Sequence, residues 1–478
     1  MIVFPLCTRT DWRNEQAMKY AEIMNSIQRK VEEGLLKPGD KLPSIRLLAK
    51  EFACSKNTVI RAYQELEKKH LIYSVPKSGY YIVENYRPRA NALIVNQKID
   101  FLSAGPDRRV MPFRDFQHCI NQAIETYKHE MFVYSEAQGL HSLRVQLARY
   151  LQNNQVFAAP ERICVVSGSQ QALNLFVSLP FPNGKNKICV EQPTHPSFIE
   201  SLNVHRADSI GIEVTNQGID LKRLEEIFKY EDIKFFYTVS RFHNPTGNSY
   251  TNAQRRKMVE LAQTYDVYII EDDYMGDLDL NLKQDPMFAY DPSGRVIYTK
   301  SFSKVMLPGL RLGLAVIPEA IREPFLQAKF AADLHSPVLT QAALEIYLKS
   351  GMFDAHIHKM RRIYSKKAAL LQKAYREHLP SSAAFSGSHS GFYSTIELPK
   401  PLKAKQLIDQ LKKENVYIDD ASKMYLPEFA KDHVVRLSVS QVDEALIERG
   451  IQKIAHGIRE LIHKKNRLDD AFRWIQRE

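Results

Sequence analysis

The sequence predicts an α/β protein in two parts. A small N-terminal module of helices closes with a β-hairpin, and a large domain follows on a mixed, mainly parallel sheet with helices on both faces. Three observations predict this. Residues 12–84 carry helical periodicity and then two β-rich runs about a glycine turn. Residues 100–465 alternate short apolar runs with amphipathic stretches, the pattern of strands buried on both faces and joined by helical crossovers. Residues 85–99 between them show no firm periodicity and read as a linker, which at ~3.3 Å per residue reaches no further than ~50 Å.

In the small module, Ile23, Ile27 and Val31 recur every four residues and mark one face of a helix that should stop at Gly34. Ser44 is the expected N-cap of a second helix, with Leu48 and Phe52 inward. After Ala53-Cys54-Ser55 a third helix buries Val59, Tyr63 and Leu66. Two short helices about a tight turn make a helix-turn-helix. The exposed start of the third helix reads Ser55-Lys56-Asn57-Thr58 and continues with Arg61, side chains suited to base edges and phosphates. Leu71–Val75 and Tyr80–Val83 flank Pro76-Lys77-Ser78-Gly79, a basic glycine turn of the kind found at the wing of a winged helix.

In the large domain, Ile163–Val166, Lys187–Val190, Phe235–Val239, Val267–Ile270, Val296–Thr299 and Leu312–Ile317 read as strands, with helices over Gln170–Val177 and Asn252–Tyr265. Chemistry gathers where such strands end. Ser167-Gly168-Ser169-Gln170-Gln171 opens a helix with small residues and is a ready anion site. His243-Asn244-Pro245-Thr246-Gly247, Glu271-Asp272-Asp273-Tyr274 and Ser301-Phe302-Ser303-Lys304 follow the next strands, with Arg311 seven residues beyond the lysine.

These groups answer one requirement. A lysine flanked by hydroxyls and backed by a guanidinium holds a phosphorylated aldehyde as a Schiff base: Lys304 supplies the amine, while Ser169, Gln170, Ser301, Ser303 and Arg311 neutralise the phosphate. A pyridine ring works as an electron sink only when its nitrogen is protonated, so a buried carboxylate must face it. Asp272 is the candidate and Asp273 the alternative, with Asn244 and Tyr274 as donors to a ring hydroxyl.

Composition narrows the function classes. A chain of 478 residues with 44% hydrophobic content supports two or three domains. No stretch approaches the ~20 apolar residues of a membrane helix, and the N-terminus lacks a signal-peptide layout, so a cytoplasmic protein is expected. Five scattered cysteines (Cys7, Cys54, Cys119, Cys164, Cys189) show no CxxC spacing, and neither a disulfide framework nor a metal site is expected. The net charge of +11 is uneven. Residues 1–90 hold 16 Lys+Arg against 10 Asp+Glu, so +6 lies in under a fifth of the chain and +5 in the rest. Such a module suits a polyanion.

Residues 17–84, with Leu-Lys-Pro-Gly-Asp-Lys-Leu-Pro-Ser-Ile-Arg, Asn-Thr-Val-Ile-Arg-Ala-Tyr-Gln-Glu-Leu-Glu and the wing glycine, resemble the winged helix of GntR-type repressors. The resemblance implies DNA contacts from Ser44, Arg46, Asn57, Thr58, Arg61 and Gly79, beside Ser55, Lys56 and Lys77. Ala53-Cys54 departs from the Gly-Val-like turn usual there. Residues 100–460 resemble the class I/II aminotransferases of fold type I, which depend on pyridoxal 5'-phosphate. Tyr134, Gly139-Leu140 and Leu143-Arg144 fit that family's early motif. Arg436 matches its C-terminal arginine, which implies a bidentate clamp on a substrate carboxylate. The resemblance also implies a ring stacked on the cofactor where this chain has His195, and a site built at a subunit interface, hence a homodimer that Tyr134 helps complete. The fusion resembles the MocR/GabR regulators, which implies a transcription factor that senses a small amino compound and binds paired operator half-sites. A working aminotransferase with a DNA-binding appendage is the alternative.

Overall fold

The computed structural model describes residues 9–37, 39–68, 71–75, 78–83, 98–281, 284–387 and 391–475. Lys77, most of the 85–99 linker and the last residues of the tail lie outside them. The chain divides into two units, Met1–Gln97 and Lys98–Glu478.

In the first unit, helices Arg9–Glu32, Ile45–Glu51 and Lys56–Lys68 precede an antiparallel hairpin of Ile72–Val75 with Gly79–Ile82. Ile23, Ile27, Leu48, Val59, Tyr63, Leu66 and Ile82 form its core, each less than 5% exposed. That places most of the predicted periodic residues inward, where burial of a large apolar side chain is worth about 1.5–3 kcal/mol, while Val31 and Phe52 pack against this core half-buried. Ser44 caps the second helix, its Oγ accepting from the Leu47 amide at 3.3 Å. The turn at Ala53 has φ +45°, a left-handed conformation that glycine adopts without strain. The alanine is therefore a departure with a conformational cost at that turn.

The second unit is built on an eight-stranded sheet in the order Ile163–Val166, Gly313–Val316, Val296–Ser301, Tyr268–Asp272, Ile233–Thr238, Lys187–Gln192, Ser209–Thr215, Gly218–Ile219. The pairs from Val296–Ser301 through Ser209–Thr215 are parallel, and Gly313–Val316 runs antiparallel to both neighbours. Alternation along the strands feeds two cores. Ile188, Val190 and Tyr237 pack on one face with helices Phe113–Tyr127, His141–Gln152 and Ser169–Ser178, while Cys189, Phe236 and Ile269 pack on the other with Leu221–Tyr230 and Asn252–Thr264. The sequence reading did not name Ser209–Thr215 and its hairpin partner. They form the sheet's edge, where two residues of Ser209–Thr215 are exposed and the apolar run is correspondingly weak.

A smaller antiparallel sheet, in the order Ala384–Phe385, Tyr393–Glu397, Val434–Ser438, Asp419–Asp420, packs with helices Met352–His378, Ala404–Lys413 and Glu444–Ile475 around a separate core.

Candidate functional site

The loops after the parallel strands converge at Lys304. It lies in a 3₁₀ turn, Phe302–Lys304, directly after the strand Val296–Ser301, and its Nζ donates to the Ala104 carbonyl at 2.8 Å. The strand holds Ser301 buried, and the Ser301 Oγ accepts from the Ser303 amide at 3.2 Å. Arg311 closes back over the turn: Nη1 donates to Ser303 Oγ at 3.4 Å and Nη2 to the Ser167 carbonyl at 3.2 Å.

Gly168 shows how tight this cradle is. Its φ is +80°, and a Cβ added there would stand 2.6 Å from Arg311 Nη2. The backbone here favours glycine, and a larger residue would also displace the guanidinium. Ser169 starts the ten-residue helix Ser169–Ser178, which has no side-chain cap at its N-terminus. Its first amides and positive dipole end are therefore left for an anion. The Gln170 side chain donates to the Ser197 carbonyl at 3.0 Å and to Ser201 Oγ at 2.9 Å. What Gln170 can offer an anion is thus its backbone amide.

The strand Tyr268–Asp272 ends in three successive acids with three different surroundings. Glu271 accepts from Ser240 Oγ and from the Met287 and Phe288 amides. Asp273 is fully buried against Arg241, whose Nε donates to Oδ1 at 3.1 Å, and Tyr298 donates to its Oδ2 at 2.7 Å. Despite burial, the charges of Arg241 and Lys300 hold its carboxyl well below the usual range. Among the described residues Asp272 accepts only neutral hydrogen bonds, from Tyr237 at 3.2 Å and Thr299 at 3.1 Å. Burial pushes its pKa up to about 7, with those hydrogen bonds acting the other way. It is a buried acid without an ion-pair partner among the described residues.

Beside it, the buried Tyr274 hydroxyl finds no hydrogen-bond partner among the described residues. The His195 ring meets Tyr274 edge-on at 6.2 Å, and His195 Nδ1 accepts from the Ser197 amide at 3.3 Å. Loss of solvation, then the charges of Lys304 and Arg436, push His195 down to about 3. The ring is therefore neutral at physiological pH. An ordinary imidazole would titrate there.

Arg436, in the strand Val434–Ser438 of the smaller sheet, reaches the same place. Its Nε donates to Asn244 Oδ1 at 3.1 Å, and its guanidinium lies 4.8 Å from the centre of the Tyr393 ring. Lys304 Nζ lies 5.6 Å from that same ring centre. Sequence reasoning missed Tyr393, Tyr237 and Thr299. Strand alternation alone gives no reason to prefer these over other buried strand residues. Tyr134 is not among the gathered groups. It is 84% exposed beside Phe132 and Val133, and its ring meets His335 edge-on at 6.0 Å. Arg144 of the same motif is buried, donating to the Gly139 and Pro160 carbonyls and to Glu136.

In the first unit, Ser44, Arg46, Lys56, Asn57 and Arg61 are exposed, and Arg61 stacks on the Tyr20 ring at 4.7 Å. Ser55 is half-buried. Thr58 is buried, contrary to the exposed place the sequence suggests. Its Oγ1 lies 2.8 Å from Ser55 Oγ, so both hydroxyls serve the start of the helix. Gly79 has φ +124° and opens the second strand of the hairpin, paired with Val75.

A phosphorylated pyridine aldehyde suits the large domain's site on three counts. The glycine-lined cradle with Arg311 matches its phosphate, the unpaired Asp272 matches a protonated ring nitrogen, and the orphaned Tyr274 hydroxyl needs an acceptor such as a ring oxygen. Fold and site together define a DNA-binding protein with a pyridoxal 5'-phosphate-dependent, aminotransferase-like domain.

The comparisons agree. Residues 19–82 match the model of the gntR family of bacterial regulatory proteins, and residues 110–454 match aminotransferase class I and II. The chain belongs to the GntR-type transcriptional regulators that carry a class I/II aminotransferase domain, the layout of the MocR/GabR type. It is 44% identical over 438 residues to the HTH-type transcriptional regulator YcxD of Bacillus subtilis, covering 91% of this chain and 98% of that one. It is 31% identical to the 2-aminoadipate transaminase of Thermus thermophilus, covering 69% of this chain and 82% of the enzyme. Among solved structures, the Pyrococcus horikoshii kynurenine aminotransferase in complex with PMP superposes with a TM-score of 0.71 at 27% identity, covering 76% of this chain and 91% of that one. No helix among the described residues is long and apolar enough to cross a membrane.

Proposed function

We propose that this regulator senses a small amino compound carrying a carboxylate, and that the signal starts at the contact between Arg436 and Asn244. Pyridoxal 5'-phosphate, when bound, supplies an aldehyde that captures amines and a ring that withdraws electrons. Lys304 would hold it covalently. Arg311, Ser301, Ser303 and the amides of Ser169 and Gln170 would hold the phosphate, Asp272 the ring nitrogen, and Tyr274 and Asn244 the ring oxygen. His195, neutral and half-buried, is suited to lie against the ring.

The observation that carries the sensing role is the hydrogen bond from Arg436 Nε to Asn244 Oδ1. It occupies the amide oxygen of Asn244 and leaves Nδ2 as the donor toward the cofactor. It also ties the smaller sheet to the Asn244–Gly247 loop of the larger one. Two further contacts clasp that loop: Ser386 Oγ donates to the Thr246 carbonyl at 2.7 Å, and Gly247 sits against the Tyr393 carbonyl so closely that a Cβ would come within 2.2 Å of it. A carboxylate that draws Arg436 into a bidentate pair competes with Asn244 and shifts the balance at this seam. Arg436→Ala is expected to lose the response of DNA binding to the amino compound while basal DNA affinity stays within about twofold. A fluorescence-anisotropy titration of operator DNA across a panel of amino acids measures both.

The working unit is proposed to be a cytoplasmic homodimer. Phe132, Val133 and Tyr134, exposed by 77%, 60% and 84%, form an apolar projection that a second copy would cover, bringing Tyr134 toward the partner's site. Two DNA-binding heads then require paired half-sites. DNA affinity should fall by at least about a hundredfold between about 50 and about 200 mM salt, and Arg61→Ala should reduce the log–log slope by about one. A flat salt response would speak against phosphate contacts from the module. Transaminase turnover is the rival reading, favoured by the complete set of groups around Lys304. Repeated conversion of an amino acid in the presence of a 2-oxo acid would establish it, whereas a spectral change without turnover favours the sensor.

A further inference from the structure

Behind the anion cradle lies an ion pair that none of the groups above accounts for. Lys329, fully buried in the helix Glu319–Asp333, donates from Nζ to Asp333 Oδ1 at 2.9 Å. The other carboxylate oxygen, Oδ2, accepts from Gln171 Nε2 at 2.7 Å and lies 3.4 Å from Ser167 Oγ. Gln171 in turn accepts, through Oε1, from the Ser167 amide at 2.8 Å.

We propose that Asp333 is a positioning residue for the cofactor's phosphate, acting through Gln171 on the backbone of Ser167–Ser169. The inference rests on the cofactor reading above. Its physical basis is that the two peptide groups flanking the Ser167 Cα are each held. The amide is held by Gln171 and the carbonyl by Arg311. Donation to Asp333 also fixes which end of the Gln171 amide faces Ser167, because a flipped amide would set oxygen against carboxylate.

The loop between those grips has no slack. Gly168 already sits at the limit of approach to Arg311, and a Cβ on Gly313 would stand 2.8 Å from the Ser169 amide nitrogen. A sub-ångström shift of this peptide therefore moves both the guanidinium and the first helix amides off the phosphate. Lys329 explains how a carboxylate is tolerated so near an anion site. The pair is close to neutral as a whole, and each partner would be costly to leave alone.

The test is binding of pyridoxal 5'-phosphate and of pyridoxal, which lacks the phosphate, to full-length apoprotein, read by absorbance and by quenching of intrinsic fluorescence. Asp333→Ala and Gln171→Met are expected to weaken the phosphorylated form by about tenfold or more and leave pyridoxal unchanged, the scale of one lost charge-assisted hydrogen bond. Parallel losses for both ligands would mean a merely structural role and would overturn the proposal, as would no loss for either. If Asp333→Ala fails to fold because Lys329 is left unpaired, Gln171→Met decides alone, since it removes the relay and keeps the ion pair. A wild-type protein that bound the two ligands equally would sink the cofactor reading itself. A wild-type preference that the variants retain would sink only the role of Asp333.

Discussion

Lys304→Ala protein is expected to bind operator DNA as the wild type does and to lose every response to an amino compound. The geometry separates the two outcomes. Among the described residues Lys304 Nζ makes a single hydrogen bond, to the Ala104 carbonyl, and its side chain is half-exposed, so its removal should cost the fold less than about 1.5 kcal/mol. The phosphate cradle, Asp272 and Arg436 are untouched, so the cofactor is expected to stay bound without its covalent attachment. Two measurements check this. The absorbance band of the covalently held cofactor should be replaced by that of the free aldehyde, and anisotropy of labelled operator should no longer change with added amine. A variant that kept a normal response would mean that sensing bypasses Lys304. That outcome would favour a constitutive DNA-binding protein with a vestigial large domain.

Much of this site was legible in the sequence because local rules placed it. Parallel strands buried on both faces leave continuous apolar runs, and the polar residues that follow such runs lie at strand ends. Ser301, Ser303, Lys304, Asp272, Tyr274 and Asn244 were all read that way. The same logic found the core of the small module through Ile23, Ile27, Val59 and Tyr63. What it could not supply is pairing between segments far apart in the chain. Gln171 and Asp333 are 162 residues apart, and Arg436 and Asn244 are 192 apart, so no local period links them. Nor does sequence say which neighbour will claim a side chain. The sequence offers Gln170 to the phosphate without saying by which group; the helix Pro196–His205 engages its side-chain amide through Ser197 and Ser201, which leaves the backbone amide for an anion. Thr58 was expected at the DNA, yet Ser55 takes its hydroxyl. Sequence names Asp272 with Asp273 as the alternative, and it is their surroundings that separate the two.

Those surroundings give Asp272 and Asp273 opposite consequences. Asp273→Ala is expected to destabilise the large domain by ~3–5 kcal/mol, because it leaves the buried Arg241 only a longer contact, 3.9 Å, to Asp279 and removes a charge that Lys300 also feels. Against a typical total of about 5–15 kcal/mol, that is enough to leave part of the protein unfolded. Asp272 forms no ion pair among the described residues, and Asp272→Asn preserves shape and the acceptor for Thr299, so the fold should survive. Their pH dependences run in opposite directions. The depressed carboxyl of Asp273 contributes stability that is present above its ordinary pKa of 3.8 and fades as the pH falls through its lower folded value. Asp272 is raised from 3.8 to about 7, so in the apoprotein it retains its proton while the unfolded chain has released it, and stability declines as pH rises through that interval. Urea unfolding of apo Asp272→Asn should therefore show a flatter profile between about pH 4 and 7 than wild type. A protonated ring nitrogen would give the Asp272 carboxylate the partner it lacks. Cofactor binding should accordingly remove the decline in the wild type and have no such effect in Asp272→Asn. If instead Asp273→Asn proved harmless to the fold and erased the cofactor's effect, the pyridine would belong to Asp273.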